Sequence, residues 1–463
     1  MERLTRRAFA AAAGAAAVAG PGLAQAAQTD PFPADATIRA ILAERIDTLK
    51  KSVGMVVGLV TPQGRRVIAH GAFDQAGGRP VDGDTVFAVG SVTKVFTGLI
   101  LADMAGRGEV ALDDPVAKYL PPDVKVPERN GRRITLADLA THTSSLPFWP
   151  SNLGVPPMTA SYSLAQFYDF LNGLQLTREP GSAWAYSNAG SALLGHALAR
   201  RAGVGYGSLF HDRIARPLGM RSTGLELSPA MRRRLAAGHD ESLNPTPLWN
   251  AGVFAPAGGA ASSANDLLAF LSMTLGRGQS RLEAATALML ATRRPAPAIG
   301  EQAIGWEVFE GKGEPFLNKD GVEIGYTASM LCDRAAGTGV VVLSNAVISA
   351  SDLARHLLRP GLPLAKLRRL VTLPPESLDR YLGAYQARPG VVYRILKLGP
   401  QLGVQFPGLP VFPLSPVSET VFVFEQIGVE VEFQRDARGQ VTGLVRRYPG
   451  LPDAVATRLA EAP

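Results

Sequence analysis

The chain has 463 residues, 46% of them apolar and 19% charged; that length exceeds one average domain, and the composition excludes a disordered or fibrous protein. Its formal charge is +7 with only nine lysines, and no basic cluster is interleaved with aromatics, which argues against nucleic-acid binding. The single cysteine, Cys332, excludes an internal disulfide framework and a cysteine metal cluster.

The first residues differ from the rest. Thr5-Arg6-Arg7-Ala8-Phe9 leads into an alanine-rich, almost uncharged run, then Gly20-Pro21-Gly22 and Leu23-Ala24-Gln25-Ala26. A charged start, an apolar middle and an A-x-A site predict a cleavable signal over residues 1–26, of the twin-arginine type. No later stretch approaches the ~20 apolar residues of a membrane span. The mature protein is therefore expected to be soluble, and periplasmic or secreted.

Two β-branched runs, Met55 to Val60 and Arg66 to His70, flank Thr61-Pro62-Gln63-Gly64 and predict a hairpin. Ser91 to Gly106 reads as a helix, with apolar residues at Val95, Phe96, Leu99, Ile100 and Met104. Thr135-x-x-Asp138, Ser163-x-x-Gln166 and Ser263-x-x-Asp266 are capping-box starts before apolar runs. Strand character returns at Thr327 to Leu331 and Gly339 to Leu343, followed by a helix at Asp352 to Leu358. Strands at both ends with helices between predict an α/β domain over residues 27–360, its one sheet assembled from distant segments beside a helical cluster. Residues 361–375 are proline-rich and read as a linker. Residues 376–463 hold short strands at Val391 to Leu398, Leu402 to Phe406, Val421 to Phe424, Val429 to Phe433 and Val441 to Arg446. They predict a small all-β unit, a barrel or sandwich.

Three separated elements carry chemistry. In Ser91-Val92-Thr93-Lys94, positions i and i+3 of a helix share a face, so hydroxyl and amine can meet. The helix N-terminus adds backbone N–H groups and positive potential suited to an oxyanion. Tyr186-Ser187-Asn188 follows Glu179-Pro180-Gly181 and opens an apolar helix. Lys319-Asp320-Gly321 immediately precedes the strand pair near the end of the first domain.

This set resembles the S-x-x-K, second-motif and K-T-G elements of serine β-lactamases and penicillin-binding proteins. The Tyr-Ser-Asn form is similar to the class C branch. Further similarity lies in Leu112 to Pro121, Ile134 to Pro147, Arg216-Pro217-Leu218-Gly219-Met220 and Ala257-Gly258-Gly259. Tyr119-Leu-Pro-Pro122 through Val126-Pro127 to Asn130-Gly131 looks most like periplasmic D-alanyl-D-alanine carboxypeptidase/endopeptidases. The last domain resembles the lipocalin-like appendage of some of these hydrolases.

The resemblance implies a β-lactamase/transpeptidase-like fold and an acyl-enzyme formed on Ser91. It implies Tyr186 as base, its pKa drawn down by Lys94 and Lys319; whether Lys94 itself takes the proton stays open. Asn188 would hold the substrate's amide, Lys319 and Gly321 belong to the third binding element, and the N–H groups of Ser91 and Val322 would form the oxyanion hole. The resemblance implies a serine acyl hydrolase of D-alanyl-D-alanine carboxypeptidase/endopeptidase type, cleaving peptidoglycan peptides, with small molecules and β-lactams as further ligands. A true β-lactamase, a carboxylesterase and a slow penicillin-binding receptor are the alternatives. Neither metal nor cofactor is expected, and oligomeric state is not readable.

Two positions depart from the family. Asp320 stands where threonine is usual, and a carboxylate there should repel the substrate's own carboxylate unless Lys319 or an arginine neutralises it. Trp149 stands where class C β-lactamases carry a glutamine, suggesting a more apolar substrate wall. No Gly-x-Ser-x-Gly elbow and no His-Glu-x-x-His occur. His142 is read as bonding neighbouring backbone, Tyr206 and Trp184 as packing, and His239-Asp240-Glu241 as side chains that do not converge.

Overall fold

The computed structural model describes residues 30–460, apart from 155–160, 278–279, 298, 310–314, 366, 368–369, 427 and 449–450. The expected signal segment lies outside the described residues. Phe32–Pro463 forms one compact unit, with Met1–Pro31 divided from it.

Gly54–Thr61 (β1) and Gly64–Gly71 (β2) pair around a tight turn closed by Thr61 opposite Gly64. Every residue of β1 is buried, because both sheet faces are covered. Val56 and Val60 enter the core beneath the helical layer, while Met55, Val57 and Leu59 enter a second core on the opposite face. That alternation follows from the two-residue repeat of a strand. The remaining sheet strands are Arg293–Ala296 (β3), Gly300–Ala303 (β4), Glu307–Phe309 (β5), Phe316–Glu323 (β6), Tyr326–Asp333 (β7) and Thr338–Ser344 (β8). The sheet has eight strands in the order β2-β1-β8-β7-β6-β5-β4-β3. β1 pairs antiparallel with β8, Met55 opposite Ser344, so the sheet is assembled from distant segments, as expected.

The helices used below are Asp35–Ala43 (α1), Thr93–Gly106 (α2), Leu136–Ala140 (α3), Leu164–Gly173 (α4), Asn188–Ala202 (α5), Ala264–Thr274 (α6), Leu282–Ala291 (α7) and Ser351–Leu358 (α8). A single 3₁₀ turn, Gly90–Val92, precedes α2. α2 is buried from Thr93 to Met104, polar residues included. Those polar groups are satisfied. The Thr97 hydroxyl bonds Tyr206 at 2.5 Å and donates to the Pro256 carbonyl at 2.7 Å, and Asp103 is held by Arg107 and Arg213. Thr135 and Ser163 make reciprocal capping boxes at α3 and α4. Ser263 caps α6 by accepting from the Asp266 amide, while the Asp266 carboxylate accepts from the Ser222 amide and the Thr223 hydroxyl.

The C-terminal unit is a closed eight-stranded barrel. Its strands are Gly383–Arg388 (β9), Val391–Leu398 (β10), Gln401–Gln405 (β11), Val411–Pro416 (β12), Val421–Phe424 (β13), Val429–Arg435 (β14), Val441–Tyr448 (β15) and Leu451–Arg458 (β16). β10, β11, β13, β14 and β15 were legible in the sequence; β9, β12 and β16 were not. β12 carries Pro413 and Pro416, and β16 carries Pro452, which weaken a strand pattern. Ring closure recruits them, because every barrel strand needs partners on both sides. Tyr385, Val404, Leu414, Phe422, Val431 and Leu444 fill the interior. No helix among the described residues is long and apolar enough to cross a membrane.

Candidate active site

Two glycines set the geometry around Ser91. Gly90 has φ +47°, and a β-carbon there would lie 2.7 Å from the Val322 carbonyl oxygen and 3.0 Å from its nitrogen. A β-carbon on Gly321 would lie 2.0 Å from the Val89 carbonyl oxygen and 3.2 Å from the Ser91 nitrogen. Only glycine permits this approach. The start of α2 is thereby set against the end of β6, and the backbones of Ser91 and Val322 come together.

Lys94 lies one helical turn below Ser91 and is 3% exposed. Its ammonium donates to Ser91 Oγ at 3.0 Å, Asn188 Oδ1 at 2.8 Å and the Ala257 carbonyl at 2.6 Å. All three donors are used. Burial lowers the Lys94 pKa and the like charge of Lys319 adds to this, while Tyr186 and Glu307 oppose it. Asn188 opens α5 and points its carbonyl at Lys94; its amide nitrogen has no partner among the described residues.

Tyr186 is half-buried. Its ring lies 4.9 Å from the Lys94 ammonium and 4.7 Å from that of Lys319. Burial pushes the Tyr186 pKa up, but the charges of Lys319 and Lys94, with help from the nearby Ser91 hydroxyl, hold it below the ordinary tyrosine value. Lys319 is fully buried and paired with Glu307 at 2.9 Å. Burial works against its charge, yet Glu307 and Tyr186 outweigh this and raise its pKa. One ammonium group thus holds the serine hydroxyl, and two lie against the ring of Tyr186.

His142 packs against Tyr186 at 4.3 Å between ring centroids. Its Nδ1 accepts from the Ser187 amide at 3.2 Å and its carbonyl accepts from the Ala185 amide at 2.7 Å. Burial, with help from both lysines, holds the imidazole well below its ordinary pKa. It is neutral scaffold around the Tyr186 segment, as the sequence suggested.

The structure brings Ser91, Lys94, Tyr186, Asn188, Lys319, Gly321 and Val322 together. Glu307 escaped sequence reading: it meets Lys319 because β5 and β6 pair, with Glu307 opposite Asn318. Arg355 also escaped notice. Fully buried in α8, it donates to Asp320 Oδ2 at 2.7 Å, while the Ser329 hydroxyl donates to Oδ1 at 2.6 Å. An arginine therefore neutralises Asp320, and the expected repulsion of a substrate carboxylate loses its basis.

A cleft of about 510 Å³ runs past Val322 and is lined by Trp149, Trp249, Glu323, Glu241 and Gln426. Trp149 stands edge-on to Trp249 and Phe254, giving the apolar wall expected from its position. Glu323 also escaped sequence reading. Burial pushes its carboxyl well above the ordinary range. His239 bonds the Asn345 carbonyl while Asp240 ties its own loop, so those side chains diverge. Among the described residues no group of histidine, cysteine and acidic side chains could hold a metal ion. Cys332 is buried, with its thiol pushed up to about 12 by burial.

A serine hydroxyl bonded to a buried lysine, with a tyrosine of lowered pKa beside that lysine, is the apparatus of a serine hydrolase. The family model Beta-lactamase matches residues 38–359, and the chain belongs to that family. Residues 367–453 match a domain of unknown function, DUF3471. The chain is 37% identical over 193 residues to the D-alanyl-D-alanine-carboxypeptidase/endopeptidase AmpH of Escherichia coli K12, covering 42% of this chain and 49% of AmpH. The match thus spans about half of that relative's length. Esterase EstB of Burkholderia gladioli is 29% identical over 380 residues, covering 69% of this chain and 94% of EstB. A class C β-lactamase from Rhodobacter sphaeroides superposes with TM-score 0.58 at 26% identity, covering 67% of this chain and 93% of that structure.

Proposed function

We propose that the protein is an exported D-alanyl-D-alanine carboxypeptidase/endopeptidase that acts on peptidoglycan peptides through an acyl-enzyme on Ser91. The observation that carries the reading is Tyr186, flanked by the ammonium groups of Lys94, which itself holds Ser91 Oγ, and Lys319. Tyr186 takes the Ser91 proton as Oγ attacks the carbonyl carbon, and returns it to the leaving amine. Lys94 and Lys319 favour the ionised phenolate, so the base is ready to accept the proton near neutral pH without either lysine holding it. The N–H groups of Ser91 and Val322 receive the oxyanion. The free amide nitrogen of Asn188 donates to the substrate's carbonyl. Water then clears the acyl group by the reverse transfers. Similarity to AmpH supports the substrate class, and residues 1–26 have the form of a twin-arginine export signal.

A carboxylesterase is the second reading, favoured by the Trp149 and Trp249 walls and by the similarity to EstB. A side-by-side turnover assay with a D-Ala-D-Ala peptide, nitrocefin and a short acyl ester separates them. The peptidase reading predicts the highest kcat/KM on the peptide, and ester turnover alone refutes it. Fluorescent penicillin should label the protein covalently, and Ser91→Ala should abolish the label; persistent labelling removes Ser91 as nucleophile.

A further inference from the structure

The barrel touches both segments that carry the site. The turn Phe406-Pro407-Gly408-Leu409-Pro410 links β11 to β12. Its Gly408 carbonyl accepts from the backbone amide of Tyr186 at 2.7 Å. On the other side of that segment Ala185 donates to the His142 carbonyl at 2.7 Å, so the chain entering the motif is held from both flanks. Gly408 has φ +75°, and a β-carbon there would lie 2.7 Å from both the Trp184 carbonyl oxygen and the Trp184 ring. Leu409 packs against the barrel core and against the second hydrolase core, in which Trp184 is buried.

The second contact reaches the Lys319 strand. Tyr448, at the end of β15, accepts a hydrogen bond from Arg355 Nη2 at 2.9 Å, and its ring lies 4.4 Å from the guanidinium carbon. Arg355 in turn holds Asp320, the residue after Lys319. Lys51 and Glu425 add an ion pair of 2.9 Å between hydrolase and barrel. The contacts therefore converge on the backbone of one motif and on the supporting pair of another.

We propose that the barrel is a working part of the active site, holding Tyr186 and Lys319 in register through Gly408, Leu409 and Tyr448. The proposal rests on the reading of Tyr186 as the base. Gly408, Leu409 and Tyr448 are positioning residues, since none reaches the serine. The groups facing the Tyr186 phenol are Ser91 and Lys94 at the start of α2, Lys319 on β6, Glu307 on β5 and the neutral His142. If the Gly408 turn is pushed away, the phenol drifts from the two ammonium groups and its pKa returns toward the ordinary ~10.

The test uses the full chain. Acylation by fluorescent penicillin is followed by stopped flow from neutral to alkaline pH for Gly408→Ala, Leu409→Ala and Val455→Thr. Val455 is an exposed barrel residue. Gly408→Ala should slow acylation by ~10- to 100-fold, the scale of a 1 Å misplacement, and move the acidic limb of the rate profile to higher pH. Leu409→Ala should do the same to a smaller extent, and Val455→Thr should do neither. Leu409→Ala decides the matter if Gly408→Ala does not fold. Wild-type rates and an unmoved limb in both folded variants would overturn the proposal and leave the barrel an appendage. Normal acylation by Tyr186→Phe overturns instead the assignment of the base, so the two failures are distinguishable.

Discussion

Replacing Asp320 with threonine restores the residue usual in the family, and the structure determines what this should do. Asp320 Oδ2 sits 2.7 Å from Arg355, whose side chain is 0% exposed. Unit charges ~4 Å apart at an effective dielectric of ~20 interact by ~4 kcal/mol. Removing one partner of a buried pair costs about 3–5 kcal/mol, because the other charge stays buried. At ~2.1 cal/mol/K per residue the compact unit Phe32–Pro463 converts this to a fall of ~3–6 °C in the midpoint of thermal unfolding, and Asp320→Thr should slow peptide, β-lactam and ester substrates alike. Adding Arg355→Met, which removes the stranded charge, should recover most of the stability. Thermal and urea unfolding followed by tryptophan fluorescence, with kcat/KM on carboxylate-bearing and neutral substrates, checks both parts. An unchanged midpoint with a selective gain on carboxylate-bearing substrates would refute this reasoning and reinstate repulsion by Asp320.

Tyr186→Phe should slow acylation by ~10²- to 10⁴-fold, the usual worth of a general base. Wild-type acylation should rise with pH through a midpoint below the ordinary tyrosine value, since the phenol's pKa is lowered; a near-normal rate in the variant would give the role to Lys94. For Glu323 the folded pKa is raised by burial, so its contribution to stability is full below the unfolded value and is lost as pH rises through the folded one. Glu323→Gln, which does not titrate, should gain stability over wild type as pH rises, and urea unfolding at acidic and mildly alkaline pH would reveal a flat difference if this is wrong. Lysines in place of Arg6 and Arg7 should leave an uncleaved precursor in the cytoplasm; normal processing, read by immunoblot of cell fractions, would exclude the twin-arginine route.

The sequence by itself determined the elements whose cause is local. The β1–β2 hairpin, the capping boxes at Thr135 and Ser163, and the pairing of Ser91 with Lys94 each depend on residues a few positions apart, where periodicity and turn chemistry act directly. Tyr186-Ser187-Asn188 and Lys319-Asp320-Gly321 were legible through their resemblance to the second and third motifs of the family, in local contexts of a helix start and a strand pair. Tertiary structure alone decided which charges neutralise one another. Glu307 reaches Lys319 through strand pairing, and Arg355 reaches Asp320 through the packing of α8 on the sheet. No pattern in one dimension distinguishes a lysine paired with a carboxylate from a solvated one, since the pairing energy depends on distance and burial. The same holds for the Gly408 carbonyl and the Tyr186 amide, 2.7 Å apart between barrel and hydrolase. A backbone carbonyl carries no side-chain signature, and only the closed barrel brings it to the site.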